Sequence, residues 1–264
     1  MTNRYDGAGS RGVIYVATGA DYVDLAVRSA HSLRVVEPHL PIVLFSDGPV
    51  DGPFDQVLPV PRAHARAKLE AMAATPFQRT LFLDADTRVL APLDDLFDVL
   101  DRFDLALAHD VRRASALIQE GTVKTPYAFG QMNSGVMLYR RSPEMLAFLD
   151  EWARRYHADG HVRDQVPLKD LLWESDLRFY VLPEEFNLRR VTMLDAWEPL
   201  DARPTILHSH RLMDHMRGKG ERYDDMGALV AAERAMLAWE WSQVQAGDDP
   251  ILRFAQAQGD PTPD

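Results

Sequence analysis

No cysteine occurs among the 264 residues. That absence excludes disulfides, thiolate nucleophiles and zinc sites built on thiolates. Long apolar runs are missing too. The first, Val13 to Ala17, is shorter than a signal-peptide core, and nothing approaches the ~20 apolar residues of a membrane span. A cytoplasmic location is the default expectation. Positive charge is in deficit: 29 Lys and Arg stand against 40 Asp and Glu, a formal net charge of −11. A general nucleic-acid surface needs a basic footprint to neutralise phosphates, so that class is excluded. A nucleotide ligand is not, because a bound metal ion and a few cations suffice locally. There is no internal repeat, low-complexity tract or linker. What remains is an ordinary globular composition, 46% apolar and 26% charged. The length suits one large α/β domain, with or without a helical appendage.

Strand and helix patterns alternate through the first half, which is the signature of βαβ units and a mainly parallel sheet. Val13 to Thr18 reads as a strand. Asp24 to Val36 reads as a helix, with apolar residues at Leu25, Ala26, Ala30, Leu33 and Val36. Ile42 to Phe45 is the next strand, stopped by Ser46-Asp47-Gly48-Pro49, and Gln56 to Val60 is a short third. Ala63 to Ala74 reads as an alanine-rich helix, Thr80 to Leu83 as a buried strand, Asp94 to Leu100 as a helix and Leu105 to Ala108 as a strand. Asp110 to Gln131 has mixed signals and reads as a loop-rich insertion. Val136 to Tyr139 is a strand. Ser142-Pro143-Glu144 starts a helix, with Pro at its first position, that runs to about Tyr156. A helix from Gln165 to Trp173 follows, then strands at Phe179 to Leu182 and Thr205 to Leu207. Residues 225–256 read as largely helical, and Gly259 to Asp264 as a disordered tail.

The most informative segment is Asp84-Ala85-Asp86, where the Thr80–Leu83 strand runs out. Two carboxylates this close destabilise one another, and a divalent cation resolves the conflict. Hard oxygen ligands suit Mg2+ or Mn2+, which keep the rest of their shell for water and phosphate oxygens. The pair therefore points to chemistry on a diphosphate. The plainer reading is that Asp84 caps a turn and Asp86 is solvated. Far downstream stands His208-Ser209-His210. Alternating residues on an extended segment share a side, so both imidazoles could approach one ion or phosphate.

Other motifs stand in order around this pair. Val13-x-Tyr15-Val16-Ala17-Thr18 ends the first strand, with Tyr22 just beyond it, and Lys68-Leu69 lies 16 residues before Asp84. Asn133-Ser134-Gly135-Val136 opens a later strand, Asp164-Gln165 begins a helix, and Leu182-Pro183, Phe186-Asn187 and His208 follow. In this order they resemble glycosyltransferase family 8, the group containing glycogenin and bacterial lipopolysaccharide galactosyltransferases, over roughly residues 12–212. The resemblance implies the α/β GT-A fold of nucleotide-diphospho-sugar transferases, a Rossmann-like mixed, mainly parallel sheet flanked by helices. Residues 213–258 would then form a mobile loop and a C-terminal helical extension. The activity implied is metal-dependent transfer of a hexose-type sugar, with retention, from a nucleotide-diphospho-sugar. A UDP-sugar is the first expectation for the donor, and the acceptor is a small molecule, glycan or protein.

By the same resemblance Asp84 and Asp86 hold Mn2+ (or Mg2+), with His208 as third ligand and His210 as the fallback. Ala85 lies between the acids in the donor site. Thr18 and Tyr22 match the segment that holds the base, where an aromatic ring stacks on uracil. Lys68 matches a lysine that reaches the diphosphate. Asn133, Ser134 and Gly135 match the backbone approaching the sugar, with Gly135 leaving space and Asn133 bonding hydroxyls. Asp164 and Gln165 match the acidic–Gln pair beside the transferred sugar and, with Lys68, are the catalytic candidates. Asn187 matches a donor-side or acceptor-side Asn. Plainer readings stand beside these: a strand-end hydroxyl at Thr18, a half-buried tyrosine at Tyr22, a solvated helix lysine at Lys68, turn chemistry at Asn-Ser-Gly, and an N-cap at Asp164.

The chain also departs from the family. Where a Lys-Pro-Trp segment is usual, it reads Arg211-Leu212-Met213-Asp214-His215-Met216-Arg217-Gly218-Lys219-Gly220, and Arg211, Arg217 or Lys219 could replace the lysine. Gly19-Ala20-Asp21 stands where Asn-Asp is usual. The Arg112-Arg113 and Arg189-Arg190 pairs read as rim cations or as solvated charges, the second being favoured, and Arg163 has no assigned place. A sugar-nucleotide pyrophosphorylase needs a Gly-rich basic loop, which Gly19 alone does not supply. A phosphatase using the first acid of Asp-x-Asp wants Thr or Val where Arg88 stands. The non-enzyme alternative is a nucleotide-sugar-binding protein of the same fold with weak turnover. A homodimer through residues 225–256 competes with the commoner packing of such a helix on its own domain. The loop at 110–131 and the segment at 188–203 are expected to shape the acceptor side.

Overall fold

Alternation along the first strand, β1 (Arg11–Ala17), divides the core in two. Val13, Tyr15 and Ala17 join the apolar layer under α1 (Ala20–Val36), while Ile14 turns to the opposite layer. Successive strand side chains point to opposite faces, so both faces must be covered. The second layer is closed by α2 (Lys68–Ala73), α3 (Pro143–Asp159) and α4 (Gln165–Glu174). The computed structural model describes residues 9–93, 95–111 and 121–242. The expected tail at 259–264, the helical stretch beyond 242 and the Arg112-Arg113 pair lie outside the described residues.

The remaining strands are β2 (Ile42–Ser46), β3 (Gln56–Pro59), β4 (Arg79–Leu83), β5 (Thr87–Val89), β6 (Leu105–His109), β7 (Met132–Arg140), β8 (Phe179–Val181) and β9 (Ile206–His208). Seven of them form one sheet in the order β3-β2-β1-β4-β7-β6-β8. All of its pairings are parallel except the two made by β7. That reversal places the site. Thr18 and Asp84 follow their strands, whereas Asn133, Ser134 and Gly135 lie at the start of β7, and the antiparallel register of Leu83 with Val136 brings them to the same rim. The Asp84 amide donates to the Gly135 carbonyl at 2.7 Å.

Several sequence expectations are corrected. The helix expected from Ala63 shrinks to Lys68–Ala73. Residues before it take tight turns, with Ala67 N–H on the His64 carbonyl and Leu69 N–H on the Arg66 carbonyl, so local contacts override alanine's helix propensity. The segment near Leu100 is a 3-10 helix, Leu96–Asp101, which buries Leu96, Phe97 and Leu100. The expected strand at 205–207 pairs not with the main sheet but with β5, an unexpected strand, in a separate antiparallel ribbon. The start of α3 matches expectation: Ser142 Oγ accepts from Met145 N–H, and Gly160, at φ 66°, closes the far end in the left-handed conformation. α5 (Met226–Ser242) packs on a 3-10 turn at Val191–Ala196, where Val191 N–H donates to the Glu233 carboxylate. Among the described residues no helix is long and apolar enough to cross a membrane.

Candidate functional site

The ends of β1 and β4 and the start of β7 open on a cavity of about 640 Å3. Thr18 reaches it from the β1–α1 connection, Tyr22 from the first turn of α1, and Asp84, Ala85 and Asp86 from the turn between β4 and β5. Asn133, Ser134 and Gly135 line it from β7, Asp164 and Gln165 from the start of α4, and Lys68 from α2. His208 and His210 complete the set from the end of β9. Asn187 is not in the lining. It is buried behind it.

Asp84, Asp86 and His208 converge, with one ligand atom from each lying within 4.8 Å of the others. His208 Nε2 is 3.3 Å from Asp86 and 3.8 Å from Asp84. Which nitrogen carries the imidazole proton follows from a chain anchored on a backbone amide. Gly135 N–H donates to Asn133 Oδ1 at 3.0 Å, so that atom is an acceptor, and the Asn187 atom 3.0 Å from it must be the Nδ2 donor. Asn187 Oδ1 therefore faces His208 Nδ1 at 2.9 Å and takes its proton. Nε2 is left facing two carboxylates, an arrangement that holds only with a proton or a cation between them. The donor set, two carboxylates and one imidazole, is consistent with the divalent-metal site of a GT-A fold. Asn187 thus bonds His208 from behind the cavity wall. Burial pushes the Asp86 carboxyl up, but His208, followed by Arg189, outweighs this and holds it at about 2.

Gly135 leaves space beside His208 and Asp84. A Cβ there would lie 2.0 Å from His208 Cε1 and 2.7 Å from an Asp84 carboxylate oxygen, so the room is taken by His208 and Asp84. Gly135→Ala is expected to displace the imidazole, costing about 1–3 kcal/mol of stability and weakening Mn2+ binding about 10–100-fold. Isothermal titration with Mn2+ checks it; unchanged affinity would mean that His208 can move freely.

Lys68 and Asp164 form the second half of the site. Lys68 Nζ lies 3.1 Å from Asp164 and 3.3 Å from Asp84, and reaches the Ser134 hydroxyl at 3.1 Å. Lys68 is therefore no solvated helix lysine: its residue exposure is 8%. The plainer reading of Asp164 fails as well. It precedes α4 but makes no capping bond with its side chain. It accepts from Ser134 Oγ at 2.8 Å instead, while its own carbonyl takes the Trp152 indole N–H. Burial pushes the Asp164 carboxyl up, yet Lys68 and then Arg66 hold it below the usual carboxylate range. Burial likewise lowers the Lys68 ammonium, but Asp164 and Asp84 keep it above the ordinary lysine value. Both groups are charged at neutral pH.

His210 stays apart from the group of Asp84, Asp86 and His208. Ser209 starts a 3-10 turn and accepts from Arg211 N–H, which breaks the alternation that would have set both imidazoles side by side. Burial, with Arg211 and Arg189 nearby, lowers the His210 imidazole to about 4, so it is neutral. Of Arg211, Arg217 and Lys219, Arg217 lines the cavity. Arg189 and Arg190 line it too, the rim position that was the less favoured of their two readings, and so does Arg163. Sequence reasoning missed Arg66 and Asp110. Asp110 accepts from Gln165 Nε2 at 2.7 Å and from Asn133 Nδ2 at 3.3 Å, joining two motifs that are far apart in the chain. The available signal was a lone acid directly after a strand.

His64, Glu70 and His157 also converge within 4.8 Å, but their protons differ. Arg66 N–H donates to His64 Nδ1, so a neutral His64 carries its proton on Nε2 and gives it to Glu70 at 2.6 Å. His157 bonds the other Glu70 oxygen at 2.9 Å. Where His208 turns Nε2 toward two carboxylates, this cluster is closed by hydrogen bonds and clips the turn before α2 to α3.

Comparison with known proteins agrees with this geometry. No curated protein sequence matches the chain. Among solved structures, the glycosyltransferase GlyE of Streptococcus pneumoniae is similar at 18% identity, with a TM-score of 0.55 over 96% of this chain; the chain spans 66% of GlyE, just under two thirds of its length. The galactosyltransferase LgtC, solved with donor and acceptor sugar analogs, is similar at 17% identity and a TM-score of 0.55, covering 75% of this chain and 87% of LgtC. Mouse xyloside xylosyltransferase 1 gives 18% identity and a TM-score of 0.51, covering 76% of this chain and 97% of that one. Both latter proteins are members of glycosyltransferase family 8, and the likeness shows the GT-A fold. The profile of one sequence family, described as nucleotide-diphospho-sugar transferase, matches residues 79–222, more than half of the chain. The chain belongs to the nucleotide-diphospho-sugar transferase family.

Proposed function

We propose that this chain is a metal-dependent glycosyltransferase that moves a hexose-type sugar from a nucleotide-diphospho-sugar, with a UDP-sugar as the expected donor, to an acceptor with retention of configuration. The observation that carries the reading is the His208 tautomer, which aims Nε2 at Asp84 and Asp86 inside the cavity. Asp84, Asp86 and His208 would hold Mn2+ (or Mg2+), and the bound ion would neutralise charge building on the departing diphosphate. Thr18 and Tyr22 hold the base, with Tyr22 47% exposed and free to stack. Arg217 takes the place of the family's phosphate lysine. Lys68 steadies the leaving diphosphate and keeps Asp164 ionised, and that carboxylate orients the sugar and stabilises positive charge at its anomeric carbon. Gln165 and Asn133, tied together through Asp110, face the sugar hydroxyls.

A thermal-shift screen of UDP-, GDP-, CDP- and TDP-sugars with and without Mn2+ tests the reading. The largest rise in Tm is expected for a UDP-sugar in the presence of Mn2+. Slow release of free sugar, with no acceptor added, should accompany it. Equal protection with and without the ion would remove the metal from the mechanism; no protection by any donor would remove the function.

A further inference from the structure

The turn that carries Asp84 and Asp86 is held from below by a row of buried hydroxyls. Tyr15 on β1, Ser29 on α1 and Thr87 at the start of β5 are all fully buried. Thr87 Oγ1 lies 2.8 Å from the Asp84 carbonyl, Ser29 Oγ 2.7 Å from Thr87 Oγ1, and the Tyr15 hydroxyl 3.0 Å from Ser29 Oγ. The direction of this row is fixed from one end. A carbonyl only accepts, so Thr87 must donate its single proton to Asp84. Ser29 must then donate to Thr87, and Tyr15 to Ser29. Each hydroxyl has one proton, and each is used in the same sense, toward the metal turn. Burial pushes the Tyr15 phenol well above its ordinary range, so the head of the row keeps its proton.

A neighbouring contact shows what the row adds. Ser32, one turn further along α1, accepts from Val89 N–H at 2.9 Å and passes its own proton to the Ser29 carbonyl at 2.6 Å. α1 thus grips β5 twice from one face, as residues three apart on a helix allow. The Ser32 grip reaches the far end of β5. The Ser29 grip reaches Thr87, next to Asp86 and bonded to Asp84.

We propose that Tyr15, Ser29 and Thr87 are positioning residues for the metal group, a one-way hydroxyl relay that sets the Asp84 carbonyl and thereby the spacing of the Asp84 and Asp86 carboxylates. This rests on the reading of Asp84, Asp86 and His208 as the metal group. Polar partners behind metal ligands commonly change affinity about 10–100-fold when removed. The relay reaches across two elements to do so, and its members touch neither donor nor ion.

The test uses the full chain and Mn2+ binding followed by electron paramagnetic resonance, with Tm measured in parallel. Thr87→Val and Ser29→Ala are expected to weaken Mn2+ binding about tenfold or more, and Thr87→Ser, which keeps the hydroxyl, to restore it. Tyr15→Phe should give a smaller loss of the same sign. Ser32→Ala is the control, lowering Tm while leaving Mn2+ affinity within about twofold of the parent, because it loosens β5 and frees the Ser29 carbonyl but leaves all three relay hydroxyls bonded. If Thr87→Val fails to fold, Ser29→Ala and Tyr15→Phe decide. Relay variants that change Mn2+ affinity no more than Ser32→Ala would overturn the proposal while leaving the metal group intact. A parent protein that binds donor but no Mn2+ would overturn both.

Discussion

Asp86→Ala is expected to abolish sugar transfer. Asp86 is 7% exposed and lies 3.3 Å from His208 Nε2, so its removal takes away the better enclosed of the two carboxylates in the proposed metal group. Several kcal/mol of transition-state stabilisation go with the ion, which corresponds to a fall in turnover of about 1000-fold or more. Mn2+-dependent protection by donor should vanish in the same variant. Folding should survive, because the Asp86 carbonyl that accepts from Ser209 N–H is a backbone group and stays in place. A kinetic assay with donor and Mn2+, beside a melting curve, separates loss of chemistry from loss of fold. Turnover near that of the parent would end the metal assignment.

Lys68→Met is expected to be the most destabilising single change near the cavity, by about 3–5 kcal/mol, because it leaves a buried carboxylate without its main partner. Asp164 has a side-chain exposure of 5%, and the remaining cation, Arg66, is 3.9 Å away on a more open side chain. The dependence on pH should change sign. In the parent, Asp164 has a folded pKa below its unfolded value. Its contribution is present above the ordinary carboxylate pKa of ~3.9 and is lost as pH falls through the lower folded value. Without Lys68, burial dominates and pushes Asp164 up, so the variant should be destabilised as pH rises above ~3.9 and should recover part of its deficit on acidification. Melting temperatures of both proteins across the acid range check this. A parallel fall of both curves would show that Lys68 does not govern Asp164. Adding Asp164→Asn to Lys68→Met should restore much of the lost stability, since no buried charge is then left over.

The sequence was most readable where periodicity and chemistry coincide. β1, β2 and β4 are apolar runs ending in turn residues or acids, and the ends of such strands are where an α/β sheet places its ligands. Asp84 and Asp86 stand out for that reason. What stayed hidden was whatever depends on partners far apart in the chain. The strand at 205–207 was readable, but its partner β5 has three residues, too short to carry a pattern, so the ribbon they form was not. α2 lost its first turn to the clip between His64 and Glu70, although alanine there favours helix. Asn187 looked like a ligand-binding side chain, yet its amide orients His208. For Asp164 a cap stood as the plainer alternative to the catalytic reading because caps and buried acids share one residue type at one position, and only the contact with Lys68 distinguishes them. Arg66 and Asp110 had no motif of their own and became visible only as members of the wall.

The reversed run of β7 has a consequence for how this rim can change over time. Strands that point toward an opening can be extended outward freely, because new residues simply add to a loop. Here the chain enters the sheet at the opening, with Gly135 already facing Asp84 and Ser134 already touching Lys68. One inserted residue within β7 would swap inward and outward side chains along part of the strand. It would pull apart the Asn133–Gly135 brace while Asp84 and Asp86 stayed where they were. Drift in length should therefore accumulate in the loop before β7, not in the strand itself.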